Sequence, residues 1–205
     1  MDTPLRYQMS EYDCGPTTML NAISFLFRRD EIPPEIIRNI MLYSLDAYGR
    51  EGAGRSGTSR MAMMFLNNWL HGIGHAGVLP ICSDYIQGES VFVGEGGRLS
   101  DCLRRNGVAV VRLYYDVEHY VLFTGEKNGS VYLFDPYYET DFPEAPDVIL
   151  TGEHPFAYNR VVPASRFNHE THDLYALGEK DMREAVLLYN ERTMLTPEKT
   201  IEYFI

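Results

Sequence analysis

The change of pattern at Val108 constrains this chain most. From there the runs VAVVRLYY, HYVLFTG and SVYLFDPYY are built of β-branched and aromatic residues, with turn residues Glu126 to Gly129 between the last two. Closely spaced runs of this kind read as a meander of at least three antiparallel strands. Before Val108 the spacing is helical. PTTMLNAISFLFR aligns Met19, Leu20, Ile23, Leu26 and Phe27, and DEIPPEIIRNIML sets Ile36, Ile37, Ile40 and Met41 on one face behind Pro33 and Pro34. RMAMMFLNNWL offers Met61, Met64, Phe65 and Leu66 as a buried face, and GRLSDCLRRNG begins near Ser100 and stops at Asn106-Gly107. Helices first and strands later define an α+β chain, with a helical part over about 1–107 and a mainly β part over about 108–205. Further strands are expected at NRVV around Val161 and EAVLLYN around Leu187, and a short helix at Thr196-Pro197-Glu198. At 205 residues and 45% hydrophobic content the chain suits a single domain with a sizeable core.

Composition narrows the partners. A net charge of -11 works against phosphate backbones, whose affinity comes largely from Lys and Arg, so no nucleic acid is expected. MDTPLRYQMS lacks a basic start followed by an apolar run, and no 18-residue apolar stretch spans a bilayer. A cytoplasmic protein is expected. Cys14, Cys82 and Cys102 are far apart and odd in number, which fits reduced thiols.

The segment YQMSEYDCGPTT, Tyr7 to Thr18, puts Cys14 at the start of the first helix, where the positive end of the helix dipole favours a thiolate. Asp13 opposes this unless its carboxylate caps the helix by accepting backbone N–H bonds. Gly15 leaves room for a substrate backbone, and Pro16 costs nothing where the N–H has no intrahelical partner. Attack on a carbonyl also needs a base, a group that orients it, and donors facing the oxyanion. His119 opens a strand and Asp135 ends the next. A two-residue Asn128-Gly129 loop would put Asp135 on the face opposite His119. A three-residue loop, Lys127 to Gly129, makes Asp135 a same-face diagonal neighbour of His119, so an odd-length loop is expected. Gln8 offers a side-chain amide to the oxyanion alongside the Cys14 N–H.

Gln8, Asp13-Cys14-Gly15-Pro16, His119-Tyr120 and Asp135-Pro136 together resemble the double-glycine cysteine peptidases that remove bacteriocin leader peptides, and their stand-alone relatives in the papain-like superfamily. Gly57-Thr58-Ser59 and Leu99 to Leu113 look like the family's middle portion, so the likeness covers roughly Tyr7 to Tyr137. The resemblance implies a papain-like fold with the active site in a cleft between the helical part and the sheet. It assigns Cys14 as nucleophile, His119 as general base and acid, Asp135 as orienting residue and Gln8 as oxyanion-hole donor. The implied activity is hydrolysis of a peptide or amide bond through a thioester. An acyltransferase using the same groups and a noncatalytic peptide-binding module are the alternatives, and a structural protein presenting its 15 tyrosines to a partner is a weaker one.

Other motifs read as structure. GAGRSG, Gly52 to Gly57, has no strand before it and no acidic residue about 20 positions beyond it, so no dinucleotide cofactor is expected. The loop borders the cleft or merely connects, and Arg50 and Arg55 are candidates to meet an acidic substrate group. His71 and His75 are separated by glycines that interrupt the helix needed to align them, and NHETHD, Asn168 to Asp173, lacks the H-E-x-x-H order, so no metal is expected. Gly96-Gly97 reads as a turn, Tyr120 as strand packing, and Cys82 and Cys102 as ordinary thiols.

Overall fold

The computed structural model describes residues 1–50 and 52–196, so the helix expected at Thr196-Pro197-Glu198 lies outside the described residues. In chain order the elements are α1 (Cys14–Leu26), α2 (Pro34–Ser44), β1 (Tyr48–Gly49), β2 (Gly52–Ala53), α3 (Arg60–His75), β3 (Ile81–Gln87), α4 (Arg98–Arg104), β4 (Val108–Tyr115), β5 (Val117–Lys127), β6 (Ser130–Phe134), β7 (Ile149–Leu150), β8 (Arg160–Pro163) and β9 (Glu184–Asn190). The architecture is α+β, with four α-helices among the described residues and a seven-stranded antiparallel sheet in the order β3-β9-β4-β5-β6-β8-β7. None of these helices is long and apolar enough to cross a membrane.

Strand alternation builds two cores. Val108, Val110, Tyr120, Leu122, Phe134, Val186 and Leu188 point to the face covered by α1, α2 and α3. Their alternates Ala109, Val111, Val121, Phe123, Leu133 and Leu187 point to the other face, toward Leu99 and Cys102 of α4 and the later Phe167, Tyr175 and Leu177. Both faces of the central strands are therefore dry, which is why VAVV and EAVLLYN read as continuous apolar runs.

Several expectations change at this level. A strand, β3, lies inside the stretch expected to be helical, because Ile81 to Gln87 pairs along the whole of β9. In α3 the buried residues are Ala62, Met63, Leu66, Asn67 and Leu70, whereas Met61 is 77% and Phe65 46% exposed and Met64 is also exposed. Apolar residues run unbroken from Met61 to Leu66, so periodicity could not choose the face, and packing on β3 and α2 did. Similarly Ile36 and Ile40 are buried in α2 while Ile37 and Met41 are exposed. The helix also continues through Gly72 and Gly74. A Cβ at Gly74 would stand 1.9 Å from the Ile81 carbonyl oxygen, so that glycine serves the close entry of β3 rather than a break.

The β5–β6 hairpin decides the site, and its loop is not the expected one. Lys127 pairs with Ser130, leaving the two-residue turn Asn128-Gly129 with φ of 53° and 74°, as a type I′ turn requires. An extra residue enters farther up instead, where the register shifts between Phe123 and Gly125. Beyond this bulge at Thr124, Phe123 pairs with Leu133 and Leu122 with Phe134. The inserted residue restores the parity that an odd loop would have provided.

Candidate active site

Cys14 is the first residue of α1 and is 8% exposed. As a first-turn residue it has a backbone N–H without an intrahelical acceptor. The helix is tied to the sheet by the Thr18 hydroxyl, which donates to the Tyr120 carbonyl at 2.9 Å, one residue from His119. Asp13 does not cap α1. Its carboxylate accepts from the Met9 N–H at 2.9 Å, the Ser10 N–H at 2.6 Å, the Ser10 hydroxyl at 2.5 Å and the Thr17 hydroxyl at 3.2 Å, folding the chain back before the helix. Burial opposes its charge, but these donors outweigh burial and lower its pKa. Gly15 leaves no open space for a substrate, since a Cβ there would lie 2.1 Å from the Thr58 hydroxyl oxygen. Its role is to let Thr58, beside the Ser59 N-cap of α3, pack against the start of α1.

His119 Nε2 and Asp135 Oδ1 are 2.8 Å apart, and both residues are buried. The Cys14 thiol adjoins the same imidazole. With Nε2 engaged by the carboxylate, Nδ1 is the nitrogen open to sulfur. Burial disfavours the charged ring, yet the charge and hydrogen bond of Asp135, reinforced by Cys14, raise the imidazole pKa above its ordinary value. Burial likewise pushes Asp135 up, but His119, the Tyr137 N–H and the charge of Arg160 hold it below the usual carboxylate range. The imidazole contributes fully to stability below its unfolded pKa of about 6.5, and this is lost as pH rises through the raised folded value; Asp135 contributes above about 3.9, and this is lost as pH falls through the depressed folded value.

Residues of the tail hold Asp135 in place. Asn159 accepts from the Asp135 N–H and donates to its carbonyl, both at 2.8 Å. The Tyr175 hydroxyl donates to Asp135 Oδ2 at 2.9 Å, and the Tyr137 N–H donates to Oδ1 at 2.9 Å. Arg160 is buried, with Nη2 donating to the Tyr137 carbonyl at 3.2 Å. Sequence reasoning missed all three tail residues. NRVV signalled only a strand, and Tyr175 sits in a segment without periodicity. Tyr175 is fully buried at a φ of 67°, a backbone region that a bulky residue enters only when its surroundings compel it. Replacing Tyr175 by phenylalanine strands Oδ2 in a dry site and is expected to cost about 1–3 kcal/mol in urea unfolding, with a changed His119 titration followed by NMR. An unchanged midpoint and titration would show that this hydroxyl does not support the carboxylate.

Gln8 is brought beside the pair by its N–H, which donates to the Pro136 carbonyl at 2.9 Å, while Asn21 of α1 clamps Arg6 through N–H and carbonyl at 2.8 and 2.9 Å. Its side-chain Nε2 donates to the Ser10 carbonyl at 2.7 Å and Oε1 is buried without a partner. Exchanging N and O would set two oxygens at 2.7 Å, so this orientation stands and one N–H of the amide remains uncommitted.

The other sequence candidates lie elsewhere or serve structure. Tyr120 is buried and its hydroxyl donates at 2.6 Å to Glu184, a buried carboxylate also met by Tyr85 and, at 3.2 Å, by Arg112. Arg50 and Arg55 are exposed. The continuous α3 does align His71 and His75, with Nε2 atoms 2.9 Å apart, but among the described residues no group of three potential metal ligands forms. Asn168 brackets the Val93 backbone, and His172 stacks on Tyr114 at 4.0 Å. Cys82 and Cys102 have thiols raised by burial, that of Cys102 to about 12. No family model and no curated protein matches this chain.

Proposed function

We propose that the chain is a cysteine peptidase or related thiol amidohydrolase of papain-like design, akin to stand-alone double-glycine peptidases, with its cleft between α1 and the sheet. The observation that carries this reading is the His119–Asp135 pair at 2.8 Å with the Cys14 thiol against the same ring at a helix start. The Cys14 sulfur bonds to the substrate carbonyl carbon as its proton passes to His119 Nδ1. The imidazolium, stabilised by Asp135, then gives that proton to the leaving amine as the C–N bond breaks, leaving a thioester. Water, deprotonated by His119, attacks the thioester, and the released sulfur recovers the proton. The Cys14 N–H and the uncommitted Gln8 N–H are the donors for the oxyanion. Three free thiols suit a reducing, cytoplasmic setting. Transfer of the acyl group to an amine instead of water uses the same groups.

The test is iodoacetamide alkylation at pH 7, read cysteine by cysteine by peptide mass spectrometry. Cys14 is expected to label at least about tenfold faster than Cys82 or Cys102, with the advantage lost in His119→Ala. Equal labelling of all three, or indifference to His119, would remove the Cys-His assignment and favour a peptide-binding module.

A further inference from the structure

A cavity of about 640 Å³ opens on the sheet end next to the pair. Its volume is that of a side-chain or small-ligand site. Tyr115, Phe142 and Leu174 form apolar wall, and the ring of Tyr115 is shared with the candidate active site, its centroid lying 5.6 Å from His119 and 5.9 Å from Phe142. The rim is acidic. His169 also lines the cavity, and Asp147 is matched by a two-point contact from Arg166, whose charge also reaches Asp173; Asp116, Glu144 and Asp173 form no ion pair among the described residues. Arg160 reaches Phe142 from the buried side at 5.6 Å and is committed to the Asn159 and Tyr137 carbonyls, so it does not neutralise the rim.

An aromatic wall with carboxylates at its mouth suits a long apolar stem that ends in a cation. We propose that this cavity is a specificity subsite for an arginine or lysine side chain of the peptide substrate, seated on Tyr115 and Phe142 with its charged head among Asp116, Glu144 and Asp173. The claim that the occupant belongs to a substrate rests on the hydrolase reading. The claim that the cavity selects a cationic side chain does not.

Two measurements separate them. In the first, the full ¹⁵N-labelled chain is titrated with N-acetyl-arginine amide and with its neutral isostere N-acetyl-citrulline amide. Backbone shifts are expected at Tyr115, Glu144 and Leu174, with the citrulline compound about tenfold weaker, and Glu144→Gln combined with Asp173→Asn is expected to erase that difference. In the second, fluorogenic peptides carrying arginine or citrulline at each position in turn are offered to the wild type. Preference for arginine at one position, reduced in the same double variant, supports the whole proposal. Charge-selective shifts without any Cys14-dependent cleavage keep the cationic subsite and sink the hydrolase reading. Cleavage indifferent to arginine, with equal shifts from both amides or none at the cavity, overturns the subsite and leaves the hydrolase reading standing.

Discussion

Replacing Cys14 by alanine is expected to lower kcat/KM for amide hydrolysis by on the order of ten-thousandfold, with the fold intact. On the proposed mechanism the size follows from the chemistry, since the other cysteines, Cys82 and Cys102, lie elsewhere in the fold and without a thiol at position 14 no thioester can form. The fold survives because the sulfur sits at the first residue of α1, where alanine suits the helix, and the His119–Asp135 hydrogen bond is made without it. Cys102→Ala is the control, as that thiol is even more deeply buried but lies in the α4 core. The measurement is turnover of a fluorogenic peptide library by wild type and both variants, with circular dichroism alongside. A Cys14→Ala protein that still cleaves would overturn the nucleophile assignment, and one that binds the same peptides as a wild type without turnover would mark a binding module.

Inserting one alanine between Phe123 and Thr124 is expected to cost on the order of a hundredfold or more in activity, although neither residue touches a reacting group. The Thr124 side chain itself donates only to the Tyr132 carbonyl, at 3.2 Å. What matters is the register beyond the bulge. With the one-residue bulge kept, the added residue takes the place opposite Leu133, Phe123 moves to Phe134, and Tyr120 replaces His119 on the face of Asp135; deleting Thr124, by contrast, leaves Phe123 opposite Leu133. Thr124→Ala keeps the residue count and is expected to stay near wild-type activity. An insertion variant that remains folded by near-ultraviolet circular dichroism and retains its rate would show that the strand register does not set the pair.

The same hairpin shows how far local reading reaches. Asn128-Gly129 is a strong two-residue turn signal, and the face requirement of His119 and Asp135 argued for one more residue. Both were legible, and they conflicted under the assumption of a regular ladder. The structure reconciles them by moving the extra residue into the strand, at a threonine whose identity announces nothing. Gly15 is a second instance. Its lack of a side chain was read as room for a ligand, whereas the space belongs to Thr58, forty-odd positions along the chain and in contact only after α3 has docked.

By itself the sequence determined the four helices and the strands β4, β5, β6, β8 and β9, the α+β class, and the order of the chemically capable residues Gln8, Cys14, His119 and Asp135, because periodicity, turn chemistry and helix starts are written among near neighbours. Tertiary structure alone decided that the last described strand, β9, inserts between β3 and β4, which face of α3 is buried, and that Asn159 and Tyr175 grip Asp135 while Arg160 holds the neighbouring Tyr137 carbonyl. These outcomes depend on surfaces brought together from distant parts of the chain. A local pattern of apolar and polar residues states that a face must be covered, but the complementarity of the assembled elements selects what covers it.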